Sequence, residues 1–124
     1  MSTRLIRIAY DFSRFPSGRF RADGDFSGEA FRDDILAPAL ACSRFGDIVE
    51  VEFDGTLGYG SSFLEEAFGE LHGRCGLTQD EIISRLRIIS LQDPSLVTEA
   101  WSYVLEGWSY ASGRNTSRKV IDRS

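Results

Sequence analysis

The chain has 124 residues, is 42% hydrophobic and 27% charged, and carries a formal charge of −5. That is one domain's worth of sequence, long enough to bury a core without disulfide or metal support. It excludes a collagen, a coiled coil and a chain disordered throughout, and no apolar run approaches the ~20 residues of a membrane span.

Two cysteines, Cys42 and Cys75, are too few for a disulfide framework or a zinc site, and both fall on or beside apolar stripes that predict burial. The single histidine, His72, leaves most metal and triad chemistry without parts. No apolar h-region follows the N-terminus, so a soluble cytoplasmic protein is expected. Residues 24–106 hold sixteen acids against five Arg, while residues 1–23 and 107–124 are basic. The acidic middle argues against nonspecific nucleic-acid binding.

Residues 4–12, RLIRIAYDF, alternate with period two and predict a strand. Pro16, Ser17 and Gly18 supply a turn, and 19–22 is read as a short return strand. Gly28 to Phe45 predicts a helix on the stripe Phe31, Ile35, Leu36, Ala39 and Leu40. Ser27 is its N-cap, and Pro38 should kink or restart it.

The run DIVEVEFD, 47–54, alternates cleanly, so one sheet face is buried and the other polar. Arg7 should meet Glu50 or Glu52 on the polar side. GTLGYG, 55–60, is a glycine-rich turn, and a helix from Ser62 to about Arg74 follows. Thr78 and Glu81 form a capping box for a short helix. RLRIISL, 85–91, predicts a further strand. Asp93 and Pro94 start a last helix striped by Leu96, Val97, Ala100, Trp101, Val104, Leu105 and Trp108. The crossover from 47–54 to 85–91 should be parallel. The fold class is therefore α/β: a mixed sheet of about four strands, opened by an antiparallel hairpin, with helices packed on one face. The domain is 1–111, and 112–124 reads as a polar, flexible C-terminal tail.

VEVEFDGTLGYGSSFLEEAFGEL, 49–71, resembles the strand–loop–helix centre of the STAS domain of anti-sigma-factor antagonists. FRDDILAPAL at 31–40, FDG at 53–55, GSSFLEEAFG at 60–69 and LRIISLQDPSLV at 86–97 bring it closer to a STAS-like domain family of unknown function. The resemblance spans about residues 5–108. It implies that Ser62 corresponds to the phosphorylated serine of the antagonists. Gly60 stands where they have aspartate, and Phe63 where they have glycine. It also implies a protein partner: an ATP-binding switch kinase or an anti-sigma factor.

A strand feeding a glycine-rich turn and a helix start concentrates free backbone N–H groups, which favour an anion. Ser62, with Ser61 beside it, is the phosphorylation candidate. Asp54, Gly55, Gly58, Tyr59, Gly60, Glu65 and Glu66 form the partner- or anion-binding set. The competing reading of Ser62 is structural: Ser62-Phe-Leu-Glu65 spells a capping box. GTLGYG lacks the Walker lysine and the dinucleotide spacing, so a tight turn competes with a phosphate cradle. His72 lies ten residues beyond Ser62, roughly 15 Å along a helix, outside hydrogen-bond reach. Asp33 with Asp34 and Glu65 with Glu66 are adjacent pairs that point apart, so they read as solvated faces.

Two function classes remain. The first is a non-enzymatic interaction module, with no catalytic residue, cofactor or metal, switched at Ser62. The second is a small-ligand or nucleotide-binding module using the 55–62 turn as an anion site.

Overall fold

The computed structural model describes residues 1–111, with side chains as far as Glu106. The expected polar tail, and the side chain of Trp108, lie outside the described residues. Three strands, β1 (Thr3–Arg7), β2 (Ile48–Glu52) and β3 (Leu86–Ile89), form one sheet in that order, and both pairings are parallel. When each strand is laid beside the last through a right-handed crossover, the helices collect on one face. Burial agrees: Ile6, Val49, Val51, Leu86 and Ile88 face the core. On the other face Arg7 meets Glu52 at 3.2 Å and Arg87 meets Glu50 at 3.3 Å. Arg7 thus takes Glu52 of its two expected partners.

Among the described residues the sheet is all parallel rather than mixed, and three strands stand where about four were expected. Strand β1 stops at Arg7, opposite Glu52, the last residue of β2. Beyond that point no neighbouring strand remains, and the alternation of 8–12 has nothing to pair with. The Asp11 carboxylate accepts the Arg7 N–H at 2.8 Å, and the Ser13 N–H reaches the Ile8 carbonyl at 2.8 Å. Together these close a π turn over Ile8–Phe12. The expected return strand at 19–22 is replaced by a 3-10 turn, Arg21–Asp23. There the Asp23 carboxylate accepts from the N–H of Phe20 at 2.9 Å and of Arg19 at 3.2 Å.

The first helical rod is α1 (Gly28–Phe31), a π turn (Arg32–Leu36) and α2 (Ala37–Ala41). Ser27 caps it, its hydroxyl accepting the Ala30 N–H at 3.1 Å. The wide turn directly precedes Pro38, which has no N–H for the carbonyl of Asp34. The rod ends at Ala41 rather than Phe45, and Cys42 is exposed, not buried. Cys75 is buried, as expected.

Four helices follow: α3 (Ser61–Gly69), α4 (Leu71–Cys75), α5 (Gln79–Arg85) and α6 (Ser95–Ala111). The single helix expected from Ser62 to Arg74 is thus divided at Glu70, and His72 falls on the second piece. The Thr78–Glu81 capping box forms in both directions, at 2.9 and 3.2 Å. Phe31, Phe53, Phe63 and Phe68 fill the space between sheet and helices, with ring centroids 5.8–6.5 Å apart where they meet.

Helix α1 crosses α3 at backbone distance. A Cβ on Gly28 would collide with the Phe63 carbonyl oxygen and lie 3.1 Å from the Ala67 nitrogen. Neither atom can move without shifting α3. Gly28→Ala is therefore expected to destabilise the fold by about 1–3 kcal/mol in urea unfolding, although alanine is the better helix former. Unchanged or increased stability would contradict so close a crossing.

Candidate functional site

Two loops leave the C-terminal ends of neighbouring parallel strands: 53–60 after β2, and 90–94 after β3. They are stapled to each other. The Phe53 N–H donates to the Ile89 carbonyl at 2.9 Å. The Asp54 carboxylate then accepts the N–H groups of Leu91 and Gln92, each at 2.9 Å, and the Ser90 hydroxyl at 3.2 Å. Burial works to raise the Asp54 pKa, but these amide and hydroxyl donors outweigh it and hold the carboxyl below its ordinary value. The Gly55 N–H donates to Gln92 Oε1 at 2.9 Å. Gly55 sits at φ +96°, where a Cβ would approach the Ala9 methyl at 3.1 Å, so glycine is required twice over.

Tyr59 closes the loop. Its phenol donates to the Phe53 carbonyl at 2.9 Å, and its ring packs on Phe53 and Phe63 at 4.9 and 5.8 Å. Burial pushes the phenol up to about 12, so it stays a donor at all physiological pH. Phe53, Asp54, Leu57, Tyr59, Asp93 and Leu96 line a cavity of about 320 Å³ between the loops. Two carboxylates therefore border the space beside the glycine-rich turn, a poor setting for a phosphate. Gly58, at φ +138°, shapes the turn at its rim and is exposed.

Helix α3 starts one residue earlier than expected. Gly60 is its N-cap, and no side chain caps it. The Ser62–Glu65 capping box is not formed: Ser62 lies inside the first turn, and the Glu65 carboxylate instead holds Arg19 at 2.7 Å. Ser61 and Ser62 are both exposed.

Behind this turn lies a pair of charges that the sequence reading passed over. Arg32 is 0% exposed. Its Nη1 donates to Glu66 Oε2 at 2.6 Å and to the Glu66 carbonyl at 2.9 Å, and its Nε donates to Asp33 at 2.8 Å. Burial opposes its charge, yet the hydrogen bonds to Asp33 and Glu66 prevail and raise its pKa. The Arg32 hydrogen bond in turn lowers the Asp33 carboxyl. Asp33 and Glu66 are thus not solvated faces. Glu66 is largely buried against Arg32, whereas Glu65 stays half exposed. The signal was partial: Arg32 falls inside the apolar stripe of Phe31, Ile35, Leu36 and Ala39, whereas Glu66 lies at the margin of its own stripe.

Among the described residues no cluster of His, Cys, Asp and Glu could hold a metal ion, and no helix is long and apolar enough to cross a membrane.

Two outcomes are expected. Glu66→Ala leaves a buried guanidinium without its carboxylate and should cost about 3–5 kcal/mol, while Arg32→Met with Glu66→Leu should recover most of it in urea unfolding. Secondly, the folded pKa of Asp54 lies below its unfolded value. Its stabilisation is present above about pH 4 and is lost as pH falls through the folded value. Asp54→Asn should flatten that acid limb, and an unaltered pH profile would show that the staple contributes nothing.

No curated protein and no solved structure matches the chain. A family model does match: residues 27–96, more than half of the sequence, fit the STAS-like domain of unknown function. The match runs from the Ser27 cap through the buried pair and both stapled loops to the start of α6. The chain belongs to the STAS-like domain family of unknown function.

Proposed function

We propose that the protein is a non-enzymatic interaction module that docks a protein partner through the C-terminal end of its sheet and is switched by phosphorylation of Ser62. The observation that carries this reading is a rim of large apolar side chains on a rigid base. Leu57 is 77% exposed, Leu91 83% and Tyr10 71%. Their main chain is braced at two points, the Leu91 N–H on the Asp54 carboxylate and the Leu57 N–H on the Arg14 carbonyl at 3.1 Å, and the Tyr10 ring lies against Arg7. Large apolar side chains left in water beside a concave centre mark a surface suited to a partner.

Ser61 and Ser62 are exposed and follow the 53–60 loop directly, two and three residues beyond Tyr59, which lines the cavity. The likeness to STAS antagonists supplies the partner class, an ATP-binding switch kinase or an anti-sigma factor in the cytoplasm. Such a kinase would transfer the γ-phosphoryl group of ATP to Ser62 Oγ, releasing the hydroxyl proton and ADP. The phosphate adds roughly −1.5 to −2 charges next to apolar docking groups, and desolvating it on binding would weaken the complex.

The test is quantitative capture from the native cell's extract on immobilised wild type, Ser62→Ala, Ser62→Asp and Leu57→Glu. Wild type and Ser62→Ala should recover the same partner, and the other two should recover much less. Equal recovery on all four would overturn the reading. The carboxylates around the cavity lead to a second expectation: a nucleotide panel should leave the melting temperature unchanged. A rise would favour the ligand-binding alternative instead.

A further inference from the structure

Resting on the reading of Ser62 as a modification site, we infer that Arg19 receives the added charge: its guanidinium would release Glu65 and Glu66 and clasp a phosphate on Ser62. In a helix, residues three and four apart share a face, so Ser62 lies one turn before Glu65 and Glu66 on the side those carboxylates occupy. Arg19 already sits on that side, with Nη2 2.7 Å from Glu65 and Nη1 3.6 Å from Glu66. One helical turn is about 5.4 Å, within the swing of an arginine side chain whose main chain stays fixed.

The main chain is fixed. The Glu29 N–H donates to the Arg19 carbonyl and the Gly28 N–H to the Gly18 carbonyl, both at 3.0 Å, and Asp23 holds the Arg19 N–H. The loop that presents Arg19 is therefore part of the α1 cap, not a loose segment.

The exchange is favourable for what it leaves behind. Glu66 keeps Arg32 at 2.6 Å, so it is not stranded in the interior. Glu65 is half exposed and can be taken up by water. An exposed ion pair is weak, whereas a guanidinium on a phosphate dianion makes two parallel charged hydrogen bonds. The other charged groups near this face, Glu65, Glu66 and Glu99 beside Tyr103, are acidic and would repel the phosphate; Arg19 is the cation they hold within its reach. Modification would then free Glu65 and draw Arg19 toward the docking rim. It would exchange a neutral edge for one bearing a clasped phosphate.

The full chain carrying phosphoserine at position 62 provides the test. The second ionisation of the phosphate is followed by phosphorus NMR at low salt in the wild-type, Arg19→Lys and Arg19→Gln backgrounds. The midpoint should lie about half a unit lower in the wild type than in Arg19→Gln, with Arg19→Lys between them, and the gap should shrink in high salt. Amide fingerprints of the unmodified variants check that all three share the fold, and a role confined to folding would not move the phosphate midpoint. Identical midpoints in the three backgrounds would overturn the role of Arg19. Partner capture by Ser62→Asp reports the switch separately, so either claim can fail alone.

Discussion

The packing of the first helical rod against α3 turns on a guanidinium held between them. Arg32 has no exposed surface, and it ties the first helical rod to the side chain and the main-chain carbonyl of Glu66 on α3. A buried charge pair is a demanding arrangement, since each ion loses its water and must be repaid in geometry. Here the geometry includes Gly28, whose missing side chain lets α1 lie against the backbone of α3. The two constraints act on the same crossing, within the first two turns of α3, and the exposed Ser61 and Ser62 lie just ahead of it.

A second constraint works at the end of the sheet. Asp54 joins the loop after β2 to the loop after β3 through three donors, and Tyr59 fastens the first loop to the core. Between them the sheet ends in a braced rim, with a cavity in the middle and leucines around it. The Asp54 carboxylate is engaged by two backbone amides and the Ser90 hydroxyl, and Thr56 and Tyr59 bring further hydroxyls to the cavity.

Much of this was legible in the residues. The alternation of 47–54 marks β2 correctly because that strand is central and half buried, the case in which period two is least ambiguous. Ser27 and the Thr78–Glu81 box behave as local motifs should, since their partners lie within one turn. Pro38 marks the disturbance in the first rod. The return strand at 19–22 fails locally, to the turn that Asp23 holds, while several other failures involve partners distant in sequence. Residues 8–12 alternate like a strand, but β2 ends before it can pair with them. Ser62 and Glu65 spell a capping box, but Arg19, 46 residues away from Glu65, takes the carboxylate. Asp54 looks like a free acid at a loop, but the amides after β3 claim it. The buried pair was the largest omission: Arg32 interrupts an apolar stripe, but Glu66 sits at the margin of its own, and only the tertiary crossing brings the two together.

The central claim is that the Arg32–Glu66 pair holds the first turns of α3 against the first helical rod, beside the exposed Ser61 and Ser62. Amide hydrogen exchange of the segment 61–66, compared between the wild type and Arg32→Met under native conditions, tests it most directly. Loss of the guanidinium should speed exchange across the first turn of α3 well beyond any change in β2 or α5. Uniform acceleration throughout the domain, or none in α3, would contradict the claim and leave the pair as one stabilising contact among many.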